Sequence, residues 1–191
     1  MSTETIAITP ALSGDYTFDT AHSRVGFAAR HAMISKVRGA FTDFDGALHI
    51  DVENPADSKA SVTIQAKSID TRNQMRDDHL RSNDFFDMDN HPEITFVSTS
   101  VEKSSGTEFT LTGDLTIKGI TKPVSIPLDY TGSATDPYGN ERAGFEGSVV
   151  IKRTDWGVNW NAALEAGGVM VGEKVTLEFE IEAIKTKPEA A

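Results

Sequence analysis

The sequence predicts an all-β domain of antiparallel strands, and three features carry that prediction. Most of the chain repeats apolar residues with period two, the mark of strands that turn one face toward a core. Short Gly-, Asn- and Pro-bearing breaks ("SSGTE", "KGITKP", "DPYGNE") separate those runs, as antiparallel connections require. A single segment departs from the pattern, so the repeated helical crossovers of a parallel sheet are excluded. Two closures satisfy these features: a sandwich, or an up-and-down barrel with an apolar interior.

Tyr16–Thr20 opens the series of strands. Val25, Phe27 and Ala29 share a face opposite Arg24 and Arg30, and a bent strand follows around Phe41–Phe44. Leu48, Ile50 and Val52 alternate with His49 and Asp51, then Val62, Ile64 and Ala66 with Ser61, Thr63, Gln65 and Lys67. Ile94 and Phe96 begin another strand, whose facing is blurred by Val97 and Val101. Phe109, Leu111, Leu115 and Ile117 alternate with Thr110, Thr112, Asp114 and Thr116, and Val124, Ile126, Leu128 and Tyr130 follow. Phe145, Val149 and Ile151 continue the pattern, which Val175, Leu177, Phe179 and Ile181 close. About eight or nine strands result.

The exception is "DTRNQMRDDHLRSNDFFD". Thr71 with Gln74 fits a capping box, which predicts a short helix over about Arg72–Ser82 and a further turn at Asp84–Asp87. Its apolar members, Met75, Leu80, Phe85 and Phe86, are too few for a core helix and suit a lid against one end of a sheet. One domain over residues 14–184 accounts for these elements. Residues 1–13 and 185–191 are polar or small and are expected to be flexible.

The composition excludes several function classes. With 18 basic and 29 acidic residues the net charge is −11, a field that repels phosphate backbones and does not favour adsorption to an anionic bilayer. Nucleic-acid binding is therefore not expected. There is no cysteine, which removes disulfides, thiolate metal sites and cysteine nucleophiles. The start of the chain lacks the basic and apolar regions of an export signal, and no apolar run reaches membrane-spanning length. These features predict a cytoplasmic protein without a transmembrane segment.

Polar residues that share an apolar face are the candidate functional groups. His31 falls in register with Val25, Phe27 and Ala29; Arg153 falls in register with Phe145, Val149 and Ile151. Both stand at strand ends, where a barrel opens. With inward faces, Arg153 offers a fork for phosphate, carboxylate or carbonyl; otherwise it pairs with Asp155 or a neighbouring strand's carboxylate. In "DTAHS", Asp19, His22 and Ser23 lack the elbow that presents a catalytic serine, so His22 is expected to bond a loop carbonyl. His22 and His31 have opposite parity and do not form a metal pair. "DFFDMDNHPE" lacks the glycine and spaced glutamate of a calcium loop and reads as a solvated acidic loop. "GGVMVG" lacks the order of a phosphate cradle and reads as a flexible connection. No metal or cofactor is implied.

Six blocks in order carry a resemblance: "YTFDTAHSRVGFAARH", "VRGAFTDFDGAL", "SIDTRNQMRDDHLRSNDFFDMDNHPEITFVSTSV", "LTGDLTIKGITKPVSIPLDY", "GFEGSVVIKRTDWGVNW" and "VGEKVTLEFEIEA". From about Tyr16 to Ala183 the chain resembles the YceI-like family of lipocalin-like polyisoprenoid-binding proteins. The resemblance implies an extended antiparallel eight-stranded barrel with a short helical lid. Its apolar tunnel would hold one long-chain ligand: a polyisoprenoid, an isoprenoid quinone or a fatty acid or amide. It implies a binding or carrier protein rather than an enzyme, and for many members export, for which this chain shows no signal. Candidate lining residues are then Phe27, Phe41, Phe44, Phe96, Leu111, Leu115, Phe145, Val149, Trp156, Leu177 and Phe179, with His31 and Arg153 as polar contacts. The rival readings are an enzyme using His31 and Arg153, and a ligand-free protein whose lumen is filled by its own side chains. An edge beside the Phe41–Phe44 bend can pair in a two-fold homodimer, which the resemblance also implies.

Overall fold

The computed structural model describes residues 6–188. Of the two closures the sequence allows, the chain adopts the barrel, built from eight long antiparallel strands. Three of these strands bend sharply and so divide in two. The first is β1 (Gly14–Phe18) with β2 (Arg24–His31), the second β3 (Ser35–Phe41) with β4 (Phe44–Ile50), the third β5 (Lys59–Gln65) with β6 (Ile69–Asp70). The rest are β7 (Glu93–Ser105), β8 (Glu108–Ile117), β9 (Ile120–Thr135), β10 (Glu141–Lys152) and β11 (Val171–Lys185). The ring runs β1–β4–β5–β7–β8–β9–β10–β11, and β11 closes it on both halves of the first strand, at Phe18↔Ala183 and Val25↔Phe179. Closure removes nearly all free strand edges, which a sandwich would leave exposed.

At the Phe41–Phe44 bend, Phe41 pairs with Ile69, Thr42 N donates to Ser68 O, and Asp43 O accepts from Gln65 N. At the bend itself the edge is therefore used inside the barrel, through the short pairing of Ala40 and Phe41 with Asp70 and Ile69. The blurred facing of β7 also has a local cause. A bulge between Ser98 and Ser100 switches the inward parity, so that Phe96 pairs with Leu115 and Val101 with Leu111 on one face, while Val97 points out. Gly113 falls between those pairs, and its missing side chain leaves the room that the Phe96 ring fills.

The helix α1 covers Gln74–Arg81, shorter than expected by about a residue at one end and two at the other. Its N-cap is Asn73, whose Oδ1 accepts from Arg76 N at 2.9 Å, and not Thr71. Thr71 instead donates from both N and Oγ1 to the buried Asp77 carboxylate and accepts from Arg76, which fixes the approach to the helix. Arg81 donates to the carbonyls of Lys67 and Ile69 and so ties the helix to the third strand. Leu80, Phe85 and Phe86 pack over the barrel end, with Phe86 edge-on to Phe41 at 5.9 Å. Met75 does not join them. It is 86% exposed on the outer face of the helix.

The opposite end of the barrel has its own small core, where Leu12, Tyr16, Tyr130, Ala143 and Ala183 pack together. Tyr16 donates to Leu12 O at 2.9 Å, and burial pushes its hydroxyl up to about 12. Leu12 belongs to a 3₁₀ turn at Pro10–Leu12, and Thr186 N donates to Asp15 O, so pairing extends past residues 14 and 184. The outermost parts of the terminal segments, residues 1–5 and 189–191, lie outside the described residues.

Candidate functional site

Between floor and lid the barrel encloses a cavity of about 280 Å³. A water molecule needs only about 10–15 Å³ on this measure, so the lumen is hollow rather than packed by its own side chains. One wall is Phe109, Leu111, Leu115 and Ile117 on β8, eight residue steps, roughly 27 Å along the strand. Facing walls come from Val175, Leu177, Phe179 and Ile181 on β11 and from Phe27 on β2. Phe27, Leu128, Phe145, Leu177 and Phe179 point inward yet are only half-buried, because the cavity leaves one side of each without neighbours. Polar side chains gather where the cavity meets the surface, beside the 3₁₀ turn Pro55–Asp57, at His49, Asp51, Ser58, Lys59 and Lys103.

Of the residues singled out from the sequence, Phe27, Phe41, Phe96, Leu111, Leu115, Phe145, Leu177, Phe179 and Arg153 line the cavity. Phe44, Val149 and Trp156 do not; they belong to the packed layer around it. Trp156 is buried in a 3₁₀ turn after β10, where its indole Nε1 donates to Leu115 O at 2.8 Å. That bond anchors the lid-side loop to the wall. His31 is exposed at the end of β2, opposite Val171, and does not line the cavity, because the strand has left the wall by that point. Lining residues not singled out include Phe18, Leu48, Val62, Ile126 and Val171, together with Leu80 and Phe86 from the lid. The first four carried the signal, since they fall on the same period-two faces.

Arg153 is not at an open mouth. It is 6% exposed at the lid end, where Nε donates to Gly172 O at 2.9 Å, Nη1 to Val158 O at 2.7 Å and Nη2 to Val171 O at 3.2 Å. No carboxylate bonds it among the described residues, Asp155 included. Burial lowers its affinity for its proton, and the charge of Glu173 opposes that shift. A guanidinium carries five N–H groups, so three carbonyl bonds leave two donors beside the lumen. This is a buried cation with unspent donors at the end of an apolar tunnel.

The bend between β1 and β2 holds the other ionic cluster. Asp19, His22 and Glu182 bring ligand-type atoms together, but the Arg142 guanidinium already bonds two of them. Its Nη1 lies 2.6 Å from Asp19 and 2.7 Å from Glu182, and its Nε lies 3.0 Å from Asp136. His22 Nδ1 stands 2.8 Å from Asp19, a carboxylate rather than the expected carbonyl. The Arg142 and His22 contacts hold the Asp19 carboxyl at about 2, and hydrogen bonds from Asn140 and Arg142 hold Asp136 well below the usual carboxylate range. Ser23 Oγ donates to Glu182 O, which takes it out of any catalytic arrangement with His22. The acidic loop is likewise engaged: Asp84 meets His79 at 2.8 Å and Asp87 accepts from Asn90.

No helix among the described residues is long and apolar enough to cross a membrane. Residues 16–183 match the family profile described as the YceI-like domain. A UPF0312 protein of Staphylococcus aureus is 42% identical over 169 residues, which cover 88% of this chain and 96% of that one. Among solved structures, BcnA of Burkholderia cenocepacia superposes with a TM-score of 0.77 at 27% identity, covering 86% of this chain and 98% of its own. A YceI protein of Campylobacter jejuni gives 0.71 at 33% identity, covering 90% and 98%. A polyisoprenoid-binding domain of Saccharophagus degradans gives 0.69 over 90% and 98% at 13% identity, a likeness of fold alone.

Proposed function

The chain belongs to the YceI-like family, and from that premise we propose that it is a non-catalytic binding or carrier protein for one long-chain apolar ligand. The ligand class is a polyisoprenoid, an isoprenoid quinone or a fatty acid or amide, held in the lumen with its polar end on Arg153. The observation that carries this is the hollow lumen, whose predominantly apolar lining includes residues from Pro55 and Ser58 at one end to Arg153 at the other. Each CH₂ group transferred from water into such a tunnel contributes about 0.8 kcal/mol. Ten of them suffice for micromolar binding in gross terms, with little polar recognition. The polyisoprenoid-binding neighbour supports the choice of ligand class through its fold. The non-catalytic reading is supported by the separation of the two polar candidates: His31 is in solvent, and Arg153 is buried and committed to three carbonyls.

Native mass spectrometry of the protein as purified tests the reading. The expected spectrum carries one discrete adduct, released by organic extraction and identified as a prenyl or acyl chain. A bare protein that also shows no saturable binding of prenyl or acyl probes overturns it.

A further inference from the structure

The net charge of −11 hides a strong segregation. Residues 20–42 contain Arg24, Arg30, Lys36 and Arg38 and no Asp or Glu, so removing this +4 leaves −15 on the remainder of the chain. Almost all of that stretch is the β2–β3 hairpin. Arg30 and Lys36 are directly paired across its outer face, and Arg38 follows opposite Ala28. Like charges so placed oppose strand pairing. Arg24 meets Glu178 at 3.4 Å, but among the described residues no carboxylate pairs with Arg30, Lys36 or Arg38.

The tip of the same hairpin is apolar. Met33 is 64% exposed and Ile34 82% exposed. Ala32 and Met33 take left-handed φ values of 51° and 60°, a turn that Asn or Gly would form at lower cost. The tip therefore carries large apolar side chains in solvent on a backbone poorly suited to them. Ala32 N donates to Met170 O, which seats the loop with the 38% exposed Val169 beside it.

We propose that the β2–β3 hairpin is a docking finger for an anionic lipid bilayer. Met33 and Ile34 enter the interface while Arg30, Lys36 and Arg38 face the headgroups, which brings the lid end of the barrel to the membrane. An apolar tip flanked by cations is the chemistry that such a surface takes up. On the adjoining strand β11, Glu178 is already paired with Arg24 and Glu173 with Lys152, and charges more than about 8 Å away are largely screened at physiological ionic strength. A second copy meeting this finger across a two-fold axis would set its cations against their own kind. The finger lies outside the lumen, so the proposal stands independently of what the lumen holds.

Co-sedimentation of the full chain with vesicles tests it, comparing pure phosphatidylcholine with phosphatidylcholine containing phosphatidylglycerol. The expected result is binding to the anionic vesicles alone, weakened by salt, and reduced about fivefold for each cation removed in Lys36→Ala and Arg38→Ala. Ile34→Asp is expected to reduce binding at least tenfold with an unchanged melting temperature. No binding to the anionic vesicles, equal binding to both kinds, or indifference to these substitutions overturns the proposal. So does an Ile34→Asp protein whose only change is a smaller oligomer in solution, which would make the tip a contact between copies.

Discussion

Arg142 and Arg153 stand at the two ends of one strand: Arg142 in the first pair of β10, Arg153 one residue beyond its last. The chain treats the same side chain in opposite ways. Arg142 lies on the outside of the bend and meets three carboxylates, Asp19, Asp136 and Glu182, from three different stretches of chain. Its charge is compensated, and its proton affinity is raised further by those bonds. Arg153 turns inward, meets three carbonyls and no carboxylate, and its proton affinity is lowered by burial. One arginine is a clasp with its donors directed at the protein. The other is held in place by the backbone with donors to spare beside an apolar tunnel. Under the proposed function, that difference is what makes Arg153 and not Arg142 the candidate contact for a ligand's polar end.

The largest expected effect comes from Arg153→Leu. It leaves the carbonyls of Gly172 and Val158 without their side-chain donor, while Val171 O keeps its bond from Asn161 Nδ2 at 2.8 Å. Acceptors left unpaired cost about 1–3 kcal/mol each, so for these two a loss of about 2–6 kcal/mol and a melting temperature lower by about 10 °C are expected in calorimetry. The specific part of the prediction is in binding. Prenyl and acyl probes with a carboxylate or phosphate end should lose affinity relative to their hydrocarbon analogues, and Arg153→Lys should restore part of the difference. Equal losses for both probe types would make Arg153 a purely structural residue, like Arg142.

Acid separates the two ends next. Asp19 is held at about 2 in the folded chain against about 4 when unfolded. A lowered folded value means stability that is present above pH 4 and is lost as pH falls toward 2. The bend between β1 and β2 is therefore expected to loosen in that window, while the carbonyl-held Arg153 end does not respond. Amide exchange at Asp19 and Glu182, compared with Val171, would read this directly. Arg142→Met should flatten the pH dependence, and a slope unchanged by it would place the acid-sensitive contact elsewhere.

The lid offers a smaller test of the Arg153 end. Asn73→Ala removes the cap of α1 and is expected to cost about 1 kcal/mol, seen as faster exchange in Gln74–Arg81 and faster ligand exit. Met75→Ser on the exposed face of the same helix should change stability by less than about 0.5 kcal/mol.

How far these regions were legible from sequence differs for physical reasons. The walls were readable because a strand's side-chain period is fixed at two, which brought Phe27, Leu111, Leu115, Leu177 and Phe179 to the cavity. Parity fails at breaks in the ladder. The bulge at Ser98–Ser100 hid the facing of Val101, and the end of the wall put His31 in solvent despite its register with Phe27. Arg153 was found by the same parity, but its carbonyl partners lie 5 to 19 residues away and no local pattern announces them. The Arg142 clasp was missed altogether, because its contacts with Asp19 and Glu182 span 123 and 40 residues. The capping signal was close but two residues off, since Thr71 satisfies Asp77 and leaves the cap to Asn73.

The smallest expected effect is that of salt, and it bears on the comparison most directly. Raising the ionic strength from 0.15 to 1 M shortens the screening length from about 8 to about 3 Å. Contacts between formal charges at the surface weaken under that change, whereas hydrogen bonds from a buried guanidinium to carbonyls are hardly reached by the ions. The melting temperature of the native chain should fall by no more than a degree or two beyond the general effect of the salt. Most of that fall should vanish in Arg142→Met and persist in Arg153→Leu. The reverse pattern, with the salt slope carried by Arg153, would mean that ions enter the lid end freely. The lumen would then be a wet channel there, and the donors of Arg153 would be spent on solvent instead of being kept for the polar end of a ligand.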